Sequence, residues 1–327
     1  MAGRRRKKSG GRSYAWRYRG RIVACVFVEV IIICALVIMI GWNKGVKEWF
    51  EQFEQPVLKE VDISGINSPN AILMQARGGK ILGEINGEAQ IYPASMTKIM
   101  TVILGIENFD DLDEKITLTN EMFTGLYEQD ATQAGFQPGE EVRVIDLLYG
   151  AMLPSGAECC IALADTISGS EADFAELMNK KARKLGMENT HFCDSTGLHN
   201  PDHYSTVKDI AVLMKYCIKN DTFREIVETS RHSTGVTNIH PDGITYYSTM
   251  FKNLSDPTVT GGKILGGKTG YTSEAGHCLG SEGREYIFVS AGASGADGNT
   301  IPHIQDAVTV YNRVGAAIEA KMNNNNK

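Results

Sequence analysis

The distribution of apolar and polar positions separates a terminal segment from a body. Residues 22–42, IVACVFVEVIIICALVIMIGW, are apolar almost throughout, and about 20 apolar residues form a helix long enough to cross a bilayer. Past Ser68 the runs shorten. Ala71–Met74 and Lys80–Leu82 read as two strands joined at Gly78-Gly79, and residues 116–119 as another strand. After Pro93 the run Ile99, Met100, Val102, Ile103, Leu104 predicts a buried helix. Residues 121–141 read as a polar loop region. Helical spacing returns at Val144–Tyr149, Cys160–Ile167, 171–185 (Phe174, Leu177, Met178 and Leu185, stopped by Gly186), Asp209–Ile218 and Ile304–Ile318. Residues 244–252, Lys263–Thr272, His277–Gly280 and Tyr286–Ala291 read as strands. Strands near both ends with helices between predict an α+β body: one sheet built from its N- and C-terminal parts, with a helical region in the middle. The chain closes on the polar MNNNNK, and residues 321–327 are expected to be disordered.

Charge sharpens the first division. Residues 1–21 hold nine of the 33 Lys and Arg and none of the 39 Asp and Glu, so the formal charge of −6 becomes −15 for the remainder. An acidic body argues against a nucleic-acid partner. A basic tail before an apolar run sets topology, with the N-terminus in the cytoplasm and the body outside. The expectation is a single-pass cell-membrane protein: tail 1–21, transmembrane anchor 22–42, linker 43–60 and a folded domain at 61–320. The apolar run exceeds the ~7–15 residues of a signal-peptide core, and no small-x-small cleavage site follows it. Glu29 within the span would cost about 2.5–3.5 kcal/mol or more at its centre. In the linker, Val46, Trp49, Phe50, Phe53 and Val57 suit either an amphipathic helix on the membrane surface or packing on the body. Five of the seven cysteines lie in the body, so at least one thiol there is unpaired within the chain, and no C-x-x-C pair exists.

Candidate chemistry begins at Tyr92-Pro93-Ala94-Ser95-Met96-Thr97-Lys98. Positions i and i+3 of a helix share a face, which sets the Ser95 hydroxyl beside the Lys98 amine. A desolvated, neutral lysine can take a serine proton, and a helix N-terminus offers free N–H groups to a developing oxyanion. Taken alone, Ser-x-x-Lys occurs by chance in many helices. Two later features raise its weight: Ser155 in Leu153-Pro154-Ser155-Gly156, between two helices, and Lys268-Thr269-Gly270 on a glycine-rich strand. Other groupings carry less. His199 and His203 with Asp194 or Asp202 have a spacing that permits a metal site, but no His-Glu-x-x-His helix is present, and no metal or cofactor is expected. Gly261-Gly262 and Gly266-Gly267 do not fit a phosphate loop. Cys159-Cys160 suits buried thiols better than a vicinal disulfide.

In this order the three motifs resemble those of the penicillin-binding proteins and serine β-lactamases, and most closely the low-molecular-weight D-alanyl-D-alanine carboxypeptidases. The connecting text is similar too: Asp146-Leu147-Leu148-Tyr149-Gly150, Lys184-Leu185-Gly186-Met187, Thr196-Gly197-Leu198, His203-Tyr204-Ser205-Thr206 and Gly267 to Thr272. The resemblance runs from about Ala71 to about Asn312. It implies a transpeptidase-like α/β/α sandwich and a peptidoglycan stem peptide ending in D-Ala-D-Ala as substrate, with β-lactams as acylating inhibitors. Ser95 would be the nucleophile and Lys98 its proton acceptor, although the acylation base is disputed in this superfamily. Ser155 would lie near Lys98 and relay a proton to the leaving amine. Lys268, Thr269, Gly270 and Tyr271 would bind substrate, with the N–H groups of Ser95 and Tyr271 as oxyanion hole. The second motif departs from the usual Ser-x-Asn: Ala157 offers no amide to Lys98 or substrate, and Glu158 follows it. That leaves a catalytically weak penicillin- or wall-binding protein as the alternative. A β-lactamase fits less well, for no acid motif is placed for fast deacylation. Many relatives add a β-rich domain and a C-terminal amphipathic anchor; here the N-terminal helix is expected to do the anchoring.

Overall fold

The computed structural model describes residues 58–283, 285–295 and 301–325. The tail, the anchor and the linker up to residue 57 lie outside the described residues. Among those described, no helix is long and apolar enough to cross a membrane. The folded unit begins at Leu58, three residues before the expected boundary. Leu58 is buried and its carbonyl accepts a hydrogen bond from Lys80 Nζ at 2.8 Å.

Strands β1 (Asn70–Gln75), β2 (Ile81–Ile85), β9 (Gly266–Thr272), β10 (Gly276–Gly283) and β11 (Tyr286–Ala293) form one antiparallel sheet in the order β2-β1-β11-β10-β9. The C-terminal strands enter beside the N-terminal hairpin, with Ile72 opposite Val289 and Leu73 opposite Phe288. Both faces are covered, so the central strands read as continuous apolar runs. On one face Ile72, Met74, Ile287 and Val289 join the helical core; on the other Ala71, Leu73 and Phe288 meet Ile304, Val310 and Val314 of the C-terminal helix. That alternation of side chains makes the α/β/α layering.

The helical layer is built around α1 (Lys98–Asn108), which is buried from Lys98 through Gly105. A helix apolar on all sides belongs in a core. Around it lie α2 (Val144–Met152), α3 (Ala157–Ser168), α4 (Glu171–Leu185), α5 (Val207–Cys217) and α6 (Asp221–Glu228). Side-chain caps start three of them: Ser170 Oγ, Thr206 Oγ1 and Asn220 Oδ1 accept from Asp173, Asp209 and Phe223 N–H at 3.0–3.1 Å.

Three elements differ from the pattern reading. Residues 244–252 hold only a short strand, β6 (Thr245–Tyr247, paired with β5, Arg231–Ser233), because Ser248 caps a helical turn, α7 (Thr249–Asn253). The run expected from Lys263 to Thr272 breaks after β8 (Gly262–Lys263, paired with β7, Thr258–Val259) and resumes at Gly266. The last helix, α8 (Pro302–Asn325), continues through residues 321–325, where disorder was expected. Adding residues to a formed helix costs little compared with starting one. Within 121–141 lies a 3₁₀ turn (Glu121–Phe123), and β4 (Glu141–Arg143) pairs with β3 (Lys115–Thr117).

Candidate active site

Ser95 lies on a single 3₁₀ turn, Ala94–Thr97, that runs straight into α1. Pro93 sets the entry, and Ala94 is held at φ +48°. This one-turn offset from a simple helix start still leaves Ser95 and Lys98 on one side. Lys98 Nζ lies 3.1 Å from Ser95 Oγ and 2.6 Å from the Thr196 carbonyl oxygen. Only 3% of Lys98 is exposed. Burial lowers its proton affinity, against the opposing pull of Cys160, Asp194, Glu158 and Cys159.

Two glycines let other segments close on this turn. A Cβ on Gly270 would sit 2.9 Å from Ser95 N, so the edge strand β9 lays its backbone directly against the Ser95 turn. A Cβ on Gly197 (φ +81°) would fall 1.9 Å from the Ala94 carbonyl oxygen, which only glycine avoids. An edge strand carries N–H and C=O groups unpaired on its outer side. Here they border Ser95, as substrate backbone recognition and an oxyanion hole require.

Lys268 is fully buried on β9, its Nζ donating to the Thr269 carbonyl at 2.8 Å. Burial and the neighbouring Lys98 charge push its pKa well down. Thr269 Oγ1 lies 2.6 Å from Thr249 Oγ1, and Thr249 N–H donates to the Leu153 carbonyl, which ties the Lys268 strand to the Ser155 loop. Tyr271 is 62% exposed and stacks near His277.

Ser155 is the exception to this close fastening. Its φ is +72°, a left-handed conformation rare outside glycine, and it is buried. Its Oγ has no hydrogen-bond partner among the described residues, neither Lys98 nor Lys268. The surrounding backbone is held: Gly156 N–H donates to the Gly150 carbonyl and Ala157 N–H to that of Thr132. Ala157 is buried as the first residue of α3. Glu158 does not stand in for the missing amide, for its Oε1 accepts from Ala134 and Gly135 N–H at 2.6 and 2.9 Å. Burial raises its pKa, with those backbone donors acting against the rise.

Sequence reasoning passed over the Thr196 carbonyl and Thr249, and weighed Asp194 only as a metal ligand. Asp194 had a local signal, since an Asp followed by Ser-Thr-Gly favours a turn that bonds its own backbone. Asp194 Oδ1 accepts from Thr196 N–H, Thr196 Oγ1 and Gly197 N–H at 2.7, 2.8 and 2.6 Å. His203, weighed above as a metal ligand, is buried between Asp194 (3.1 Å) and Thr97 Oγ1 (2.8 Å). The five cysteines of the body are all free thiols; burial pushes Cys160 and Cys278 up to about 12.

The chain is similar to known proteins in sequence and in fold. The chain is 35% identical over 214 residues to the D-alanyl-D-alanine carboxypeptidase DacF of Bacillus subtilis, covering 64% of this chain and 52% of that one. It is 37% identical over 193 residues to the D-alanyl-D-alanine carboxypeptidase of Streptomyces sp. strain K15, covering 57% and 65%. The crystal structure of the Streptomyces K15 DD-transpeptidase superposes with a TM-score of 0.69 at 27% identity, covering 80% of this chain and all of that one. A carboxypeptidase structure from Mycobacterium tuberculosis, 22% identical, matches in fold with a TM-score of 0.69, covering 80% and 96%. The chain spans about half the length of DacF. The family model for D-alanyl-D-alanine carboxypeptidase, peptidase S11, matches residues 57–286, and the chain belongs to that family.

Proposed function

We propose that this chain is a membrane-anchored serine D-Ala-D-Ala carboxypeptidase. One observation carries the reading: a buried lysine amine 3.1 Å from a half-buried serine hydroxyl, on a turn bordered by an edge strand. In the neutral form of Lys98 one N–H serves the Thr196 carbonyl and the lone pair faces Ser95 Oγ. Ser95 Oγ attacks the carbonyl carbon between the two D-alanines as its proton passes to Lys98. The oxyanion forms beside the Ser95 backbone and β9, where each fixed donor contributes about 2.7–4 kcal/mol to the transition state. The C–N bond then breaks, D-alanine leaves with a proton relayed through Ser155, and water hydrolyses the ester to restore Ser95. With Lys98 neutral, one of the two causes that lower the Lys268 pKa is removed, and Lys268 would supply positive charge for the substrate carboxylate. β-Lactams would acylate the same serine.

The test uses the full chain in detergent with a fluorescent penicillin and, separately, diacetyl-Lys-D-Ala-D-Ala, beside a Ser95→Ala control. Labelling and D-alanine release, both lost in the control, support the reading. Labelling without release favours the binding alternative, for which Ala157 is the motivating departure. Absence of both removes the assignment of Ser95. The anchor rests on the basic tail and the apolar run at 22–42. A protein released from membranes by alkaline carbonate would refute it.

A further inference from the structure

We propose that Asp194 is a positioning residue for acylation: its carboxylate fixes the 194–197 turn so that the Thr196 carbonyl holds Lys98 Nζ with its lone pair toward Ser95 Oγ. The inference rests on the reading of Ser95 as nucleophile and Lys98 as its base.

The Thr196 bond to Lys98, at 2.6 Å, is shorter than the 3.1 Å approach to Ser95. A neutral amine has one lone pair, so fixing one N–H restricts where that pair can point. The acceptor here is a backbone carbonyl, and its position is decided by whatever holds the turn. Three donors of the turn converge on Asp194 Oδ1, two of them from Thr196 itself. The other carboxylate oxygen reaches the nucleophile turn by a second route. Oδ2 lies 3.1 Å from His203 Nδ1, and His203 Nε2 lies 2.8 Å from Oγ1 of Thr97, the neighbour of Lys98. Ser195 is fixed in turn: its carbonyl accepts from Thr101 Oγ1 on α1, and its N–H and hydroxyl donate to Glu171. One carboxylate thus braces both ends of the Thr97-Lys98 pair. Burial works to raise the Asp194 pKa, but His203 and the turn donors prevail and hold it at about 2. It is therefore ionised throughout the working range.

The charged and titratable groups facing Lys98 are Asp194 from this turn, Glu158, Cys159 and Cys160 from α3, and Lys268 from β9. Of these, Asp194 also holds the carbonyl that the amine bonds. Its removal should therefore change two things, the geometry of the amine and the charge beside it, and two substitutions separate them. Asp194→Asn keeps an oxygen for the three turn donors and deletes the charge. Asp194→Ala deletes both.

The experiment measures the second-order rate of acylation by a fluorescent penicillin between pH 5 and 10, with the full-length wild type, Ser95→Ala and both Asp194 variants, and records thermal unfolding of each. For Asp194→Ala the rate should fall roughly 100-fold across the range, the scale of loss when a catalytic group is misplaced by about 1 Å. For Asp194→Asn the pH at which the rate rises should move down, because Lys98 loses its proton more readily without a negative neighbour. A purely structural role would lower the unfolding temperature and the active fraction but leave that pH unmoved. If Asp194→Ala does not fold, the Asn variant decides: an unmoved pH overturns the inference. Wild-type labelling lost in Ser95→Ala, with both Asp194 variants like wild type, sinks this inference alone. A wild type that does not label sinks the functional reading with it.

Discussion

Around Ser95 the chain is fastened on three sides, by Lys98, by the Gly197 turn and by Gly270 of β9, whereas around Ser155 the backbone is bent to φ +72° and the buried hydroxyl bonds to nothing described. The first serine stands beside a buried lysine amine that also bonds the Thr196 carbonyl. The second stores cost: a non-glycine residue at positive φ and an unsatisfied buried hydroxyl each stand against folding by about 1–3 kcal/mol. The difference implies a division of labour. On the function proposed above, Ser95 and Lys98 would be paired before substrate arrives, while the Ser155 hydroxyl would keep its hydrogen-bonding capacity for the leaving amine.

The largest effects should come from the fastened half. Ser95→Ala is expected to lower D-alanine release by roughly 10⁶-fold, as removal of a serine nucleophile does elsewhere; residual labelling by penicillin at a second residue would break the assignment. Lys98→Met keeps the length of the buried stem and removes the amine. It should reduce acylation by roughly 10²–10⁴-fold, the usual share of a general base. Near-normal acylation in that variant would move the base role to another group and dissolve the contrast between the two serines.

The Ser155 half is tested by separating the hydroxyl from the strain. Ser155→Ala and Ser155→Gly both remove the hydroxyl, so turnover should fall in both by roughly 10²-fold or more. They differ in stability. Glycine accepts φ +72° freely while alanine does not, worth about 1–2 kcal/mol, less the ~0.5–1 that glycine loses through its looser unfolded chain. Glycine is therefore expected to unfold at the higher temperature of the two. Equal unfolding temperatures would mean that no strain resides at this position. A smaller change is expected at Ala157. Asparagine there should hold or raise turnover by a few-fold at most, roughly the ~1 kcal/mol of a new hydrogen bond; a collapse of turnover would show that buried position to be too tightly packed for an amide.

What could be read from the sequence follows the same line between side chains and backbone. The buried α1 and the apolar sheet strands announce themselves by residue type and period, and the ordered Ser95, Lys98, Ser155 and Lys268 motifs by their resemblance to a known family. The helix Asp221–Glu228 was passed over, although Asn220 caps it and Phe223, Ile226 and Val227 are its buried face. Eight residues are too few for a clear period. Ser248 ended the strand expected at 244–252 because a single capping hydroxyl outweighs a weak β preference. The Thr196 carbonyl, the strongest contact of Lys98, is a backbone atom with no letter of its own. The positive φ of Ser155 is imposed by its neighbours, since nothing in a serine codes for it. Pattern locates the candidate side chains; the backbone atoms that contact them become visible only when distant segments meet.

Glu282 offers the most independent test, because it shares the feature of Ser155 without its place in the site. It pairs with Gly266, at the opposite end of β9 from Gly270 and Tyr271. It is 2% exposed, and its Oε1 has no partner among the described residues. It lines a cavity of about 530 Å³ with Arg224, Glu228, Lys263, Ile218 and Leu265. Burial, helped by Glu228 and opposed by Arg224, raises its pKa from 4.5 to about 8. Between those values the folded state keeps a proton that the unfolded chain has released, so the group's contribution to stability is full below about pH 4.5 and is lost as pH rises through about 8. Glu282→Gln removes that dependence. By urea unfolding the variant should match wild type at about pH 5 and exceed it by on the order of 1–3 kcal/mol at about pH 9, with acylation unchanged. A parallel pair of stability curves would mean that this carboxyl finds a partner when it ionises. Then a buried oxygen without a partner is not in itself a sign of stored cost, and the strain assigned to Ser155 would have to rest on its φ alone.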